Sequence, residues 1–136
     1  MYRSCADLAL HSIDPYFHIF CLLGYGPGLN RVAKGMGLAG KTEGMDGARA
    51  PELWQRGGYG KVLEYVAQDV RTTLDVAQAV ERERWLRWTS KSNAPVTVRV
   101  EKWLSVVEAL DLPLPDVSWM GGKEWKREKF TGWINA

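Results

Sequence analysis

This chain is poor in the residues that build the commonest metal and covalent sites. It has two cysteines, Cys5 and Cys21, and two histidines, His11 and His18. No C-x-x-C pair and no His/Cys cluster occurs, so a zinc centre is not expected. Both cysteines have apolar neighbours and read as buried, reduced thiols, which points to a cytoplasmic protein. No G-x-S-x-G and no Ser-His-Asp arrangement is present. His18 sits among Phe17, Ile19 and Phe20 and reads as a packing residue. No apolar run approaches the length of a membrane span, so no membrane partner is expected. The first seven residues lack the layout of a signal peptide, because Asp7 interrupts them before any long apolar stretch. A net charge of +2 over 136 residues argues neither for nor against a nucleic-acid partner.

What is present fits a globular protein. The hydrophobic fraction is 46% and the charged fraction 25%, enough for one domain with a core. Tryptophan is abundant, at seven, and all but Trp54 lie at or after Trp85. The two parts of the chain therefore differ in character. The spacing predicts helices over Tyr2–Leu10, Tyr16–Leu23 and Leu29–Met36, with His11–Asp14 as a short extended piece ended by Pro15. Five glycines between Gly35 and Gly47 mark a loop. Ala50–Gln55 opens a short helix with Pro51 in its first turn, and Gly57-Gly58 breaks it.

A long helix is expected from about Lys61 to Arg84, with Leu63, Val66, Val70, Leu74 and Ala77 as its buried stripe. Tyr65, Asp69 and Thr72 fall beside that stripe, where a cleft or solvent would receive them. Beyond it, Trp85–Thr89 and Pro95–Val100 alternate around a polar turn and read as a β-hairpin. Trp103–Leu110 reads as an amphipathic helix. The remaining tail is irregular, and its charged run Lys123–Lys129 reads as solvated.

Two strings carry candidate chemistry. Gly35-x4-Gly40-Lys41-Thr42 spells a P-loop, but no strand precedes it and the glycines after Glu43 do not open a helix. Lys41 is still a cation that could touch a phosphate. Tyr65-x-x-x-Asp69 puts a phenol and a carboxylate on one helix face. Such a pair suits metal-assisted hydrolysis, in which the carboxylate holds a divalent cation and the phenol orients water.

The run from Gly40-Lys41 through Ala50-Pro51-Glu52-Leu53-Trp54 to Tyr65–Thr73 resembles the C-terminal half of a 3′-5′ exonuclease. The family is the DEDD group, tyrosine branch, with a ribonuclease-H-like fold, and it includes the proofreading domains of family B DNA polymerases. Its order is a strand ending in Asp, a short helix, a G-L-x-x-x-A helix, a G-K loop and a Y-x-x-x-D-V-x-x-T helix. The matching parts here are Ile13-Asp14, Tyr16–Leu23, Gly28-Leu29 to Ala33, Gly40-Lys41 and Tyr65–Thr73. The resemblance covers roughly residues 5 to 80.

It implies that Asp69 is a metal-binding carboxylate, with Mg or Mn as the cation, and that Tyr65 is the water-orienting phenol. It also implies four carboxylates drawn from three motifs, and this chain carries only the third motif. No D-x-E occurs, and no Asn followed by Phe-Asp or Tyr-Asp.

The expected fold is therefore α+β, mainly α. Residues 1–84 would be a partial ribonuclease-H-like domain lacking its leading strands, and residues 85–136 a Trp-rich hairpin, helix and tail packed on it. The expected function is that of a truncated or split exonuclease-related protein, inactive alone and with at most weak metal affinity. A homo-oligomer or a second chain would cover the apolar face left by the missing strands. One alternative is a nucleic-acid or protein interaction module using the Trp, Lys and Arg residues of the C-terminal part. Another is a fragment of a longer active exonuclease.

Overall fold

The computed structural model describes residues 3–40 and 47–135. In chain order its elements are α1 (Arg3–Leu10), α2 (Pro15–Leu23), α3 (Leu29–Gly35), α4 (Ala50–Gln55), α5 (Tyr59–Glu83), β1 (Trp85–Thr89), β2 (Pro95–Arg99), α6 (Val106–Leu110) and α7 (Glu128–Thr131). Short 3-10 turns lie at Ser118–Met120 and Gly132–Asn135. The class is α+β and mainly helical, with a single antiparallel strand pair among the described residues. No helix among them is long and apolar enough to cross a membrane.

The chain forms two compact units, Met1–Pro27 with Lys102–Ala136, and Gly28–Glu101. This differs from a division at residue 84. The hairpin packs on α3 and α5, so it belongs with the middle of the chain, while the tail returns to the first helices.

In the discontinuous unit, local chemistry sets the helix ends. Asp14 caps α2, its carboxylate accepting from the Phe17 N–H at 3.0 Å, and Pro15 supplies a preset first turn. Gly24 ends the helix in the left-handed region at φ 83°, donating to the Phe20 carbonyl. Asp14 is thus a cap, not the end of a strand; next to it Ile13 makes one isolated bridge to Ser105. Ser105 and Glu108 form a capping box that starts α6 at Val106, three residues later than the apolar pattern indicated. Those hydrogen bonds from Ser105 hold the Glu108 carboxyl below its usual range.

Phe17, Phe20, Cys21 and Ala109 make the core, with Leu104, Leu110 and Phe130 against them. Phe130 meets Phe20 at 4.7 Å and Phe17 at 5.8 Å between ring centroids. His18 is buried, stacked edge-on against Trp103, and its Nδ1 accepts from the Leu104 N–H at 3.3 Å. Burial lowers its pKa, and the Glu108 charge partly opposes this. Cys21 is buried as expected, but Cys5 lies exposed on α1. A short helix of mixed composition has no second layer to cover every apolar-flanked residue.

The run Lys123–Lys129 contains the unit's main polar fastening. The Arg127 guanidinium donates to the carbonyls of Cys21 (3.0 Å), Leu110 (2.9 Å), Leu112 (2.7 Å) and Pro113 (3.1 Å). A planar fork with five donors can serve several acceptors at once. Arg127 is therefore structural, not solvated.

The Gly28–Glu101 unit is built differently. β1 and β2 pair in the register Leu86↔Val98 and Trp88↔Val96, which puts the apolar residues on one face. Arg87 and Thr97 alternate onto the other face and are exposed. Asn93 takes the positive φ, 62°, that the turn requires. α3 approaches β1 so closely that a Cβ on Gly35 would lie 2.6 Å from the Trp88 Cα. Only glycine permits that contact.

The stripe expected to be buried on α5 is the exposed one. Leu63 is 59% exposed, Val66 48%, Val70 62% and Leu74 55%. The inward face is Val62, Thr72, Val76, Ala79 and Val80, with Tyr65 and Asp69 half-buried on it. The two faces are roughly 120° apart around the helix. Both carry apolar residues, and periodicity alone does not say which one meets the rest of its own unit.

Candidate functional site

Tyr65 and Asp69 do project together, and they line a cavity. Its wall is Gly28, Leu29 and Asn30 at the start of α3, with Tyr65, Asp69 and Thr72 on the inward face of α5. The volume is about 180 Å³. That is below the usual ligand pocket of roughly 300–1,000 Å³, and it suits a small fragment rather than a whole cofactor. Local hydrogen bonds brace the helix here: Gln68 Nε2 donates to Thr72 Oγ1 at 3.1 Å, and Thr73 Oγ1 donates to the Asp69 carbonyl at 2.8 Å. The Thr72 side chain is buried.

Asn30 was missed from sequence. It occupies an x position of the G-L-x-x-x-A segment, so the motif carried no signal for it. Two glycines also border this region. A Cβ on Gly40 would press on the Asn30 amide oxygen, and one on Gly47 would lie 3.7 Å from the Tyr65 hydroxyl. Lys41, expected as a phosphate contact, lies outside the described residues.

The donor set decides what the cavity can hold. Asp69 is its single carboxylate, and Tyr65, Asn30 and Thr72 add neutral oxygens. Two-metal hydrolysis clamps the attacking and leaving oxygens between two cations, each held by charged ligands. One carboxylate does not fit that pair. Among the described residues, no three His, Cys, Asp or Glu side chains gather as a metal-binding group.

The tail offers a different surface. Trp119, Trp125 and Trp133 are exposed, and the Lys129 ammonium sits 3.2 Å from the Trp125 ring centroid. Beside them Tyr16, Phe20, Tyr25, Lys123, Glu124 and Trp125 line a second cavity of about 220 Å³. Several cations of the chain are engaged within their own units. Arg87 pairs with Glu83, Arg99 with Glu101 and Lys102 with Glu108, and Arg127 is enclosed by carbonyls.

Compared with protein-family models, curated proteins and solved structures, the chain gives no match.

Proposed function

We propose that this chain is related to the tyrosine-branch DEDD 3′-5′ exonucleases, lacks hydrolytic activity by itself, and acts by joining another chain. The supporting observation is the cavity. Gly28-Leu29 and Tyr65, Asp69 and Thr72 come from two separate stretches of the resemblance, and they line one space. In this reading Tyr65 and Asp69 keep the positions of a water-orienting phenol and a metal-holding carboxylate. Magnesium or manganese binding at Asp69 alone is weak, because one carboxylate gives a divalent cation little charge compensation. A reducing, cytoplasmic setting suits an exposed Cys5 that has no disulfide partner.

The test is an assay with single-stranded DNA and Mn²⁺. The expected result is product no greater than that from Asp69→Ala. Product that disappears in Asp69→Ala would overturn the inactive reading.

The exposed tryptophans favour a second reading, a module that stacks single-stranded bases on Trp119, Trp125 and Trp133. Oligonucleotide quenching of tryptophan fluorescence that weakens with salt would support it. Unchanged fluorescence would remove it. Within the tail, Arg127 is enclosed by carbonyls and Lys129 sits on Trp125, which leaves Lys123 and Lys126 as its main cations and makes it the weaker of the two.

A further inference from the structure

The outward face of α5 has a property that an ordinary solvent-facing helix does not need. Leu63, Val66, Val70, Leu74 and the half-buried Ala77 follow at intervals of three, four, four and three. The series reads the same in both directions about Val70. We infer that this face pairs with the same face of a second copy, with the two helices antiparallel and Val70 on the two-fold axis. The inference deepens the proposal that the chain joins another one, and it is independent of the exonuclease relation.

A two-fold contact is isologous: if residue i meets residue j, then j meets i. An antiparallel pair centred on Val70 joins positions equally far before and after it. Val66 meets the partner's Leu74, and Leu63 meets the partner's Ala77. The layers are then Leu with Ala, Val with Leu, and Val with Val, so no layer holds two large or two small side chains. Near-constant layer volume is what close packing needs. A parallel pair would set Leu63 on Leu63 and Ala77 on Ala77, one layer crowded and one hollow. A second copy in antiparallel register uses this mirror spacing at every layer.

Area sets the strength. The four large side chains, each about half to two-thirds exposed, present roughly 400 Å² of contiguous apolar surface, a size that marks interaction sites. Standard interfaces take about 800 Å² from each partner. The stripe supplies half of that, and its flanks Glu64, Ala67, Arg71 and Thr73 supply the rim. A contact of this size falls among the weak, reversible interfaces.

The experiment uses the full chain in sedimentation equilibrium from low to high micromolar concentration. The expected result is a reversible monomer–dimer equilibrium, weakened at least 100-fold by Val70→Glu, which sets two carboxylates face to face on the axis. Val70 is exposed, so circular dichroism of the variant should match the parent. Orientation is read by cross-linking in a Cys5→Ser background. Val70→Cys should oxidise to a disulfide dimer. Leu63→Cys alone should not, since the two copies of position 63 would be about 21 Å apart along the axis. Mixing Leu63→Cys with Ala77→Cys chains should restore the cross-link.

A monomer at every concentration overturns the proposal. So does a dimer indifferent to Val70→Glu, or self-cross-linking of Leu63→Cys, which marks a parallel pair. The nuclease assay reads the other proposal separately, because hydrolysis dependent on Asp69 can appear or fail in either association state.

Discussion

The two units solve the same problem with different means. The discontinuous unit is small and carries many polar fastenings: an Asp cap, a capping box, a buried imidazole and one guanidinium on four carbonyls. The Gly28–Glu101 unit relies on backbone proximity and alternation: Gly35 against β1, and Leu86 and Trp88 on the inner face of the hairpin. It also holds hydrogen bonds and ion pairs of its own, such as Arg31 to the Thr89 carbonyl and Arg87 to Glu83, and Tyr65 and Asp69 line the wall of its cavity. The first unit spends its hydrogen bonds on holding itself together. The second places one carboxylate and three neutral oxygen-bearing side chains along the wall of a cavity.

This contrast can be broken at its strongest point first. Arg127→Met should destabilise the discontinuous unit by about 3 kcal/mol or more, since it strips donors from partly buried carbonyls. Hydrogen exchange should accelerate in peptides from α2 and α6, and Arg127→Lys should recover less than half of the loss, because an ammonium cannot span the fork.

In the other unit, Gly35→Ala should cost about 2 kcal/mol by forcing α3 away from β1, with faster exchange confined to the hairpin. Val76→Ala should cost roughly 2 kcal/mol and Val70→Ala under about 0.5 in urea denaturation of the monomer, because Val76 is buried and Val70 is not. Equal costs would mean that the inward face has been misassigned. Ser105→Ala should cost about 1 kcal/mol through loss of the α6 cap.

The smallest effect is the pH response. The His18 pKa is lowered by burial, so the unfolded chain takes the proton first. Stability from the neutral imidazole is complete above about pH 6.5 and declines as pH falls toward the lowered native value. Glu108 has a depressed carboxyl and adds a loss in the same direction at lower pH. His18→Gln should flatten the first decline and leave the second.

Much of the frame was legible in the sequence. The alternation of Trp85–Thr89 and Pro95–Val100 gave the hairpin, whose second strand ends at Arg99, because a period of two has one structural meaning at that length. Pro15 and Gly24 bracketed α2 through backbone rules that hold anywhere. The four-residue spacing of Tyr65 and Asp69 was enough to place them on a shared face.

Other features depended on what each segment meets. α5 carries two apolar faces, and only the position of α3 and the hairpin decides that Val62 and Val76 turn inward. Arg127 looked like one charge in a solvated run, since nothing local reveals four carbonyls waiting for it. Asn30 was invisible for the same reason: its partners in the cavity come from more than thirty residues downstream.

The guanidinium of Arg127 also fixes an order of events. It joins the carbonyl of Cys21 to a side chain 106 positions later, so that link cannot form until everything between them has been made. The hairpin needs only residues up to Arg99 and can close on α3 and α5 while the tail is still unsynthesised. On the ribosome, α1 and α2 emerge before the hairpin and are fastened after it. During that interval the faces of Phe17 and Phe20 are open, and a chaperone that binds short aromatic segments should find its target there.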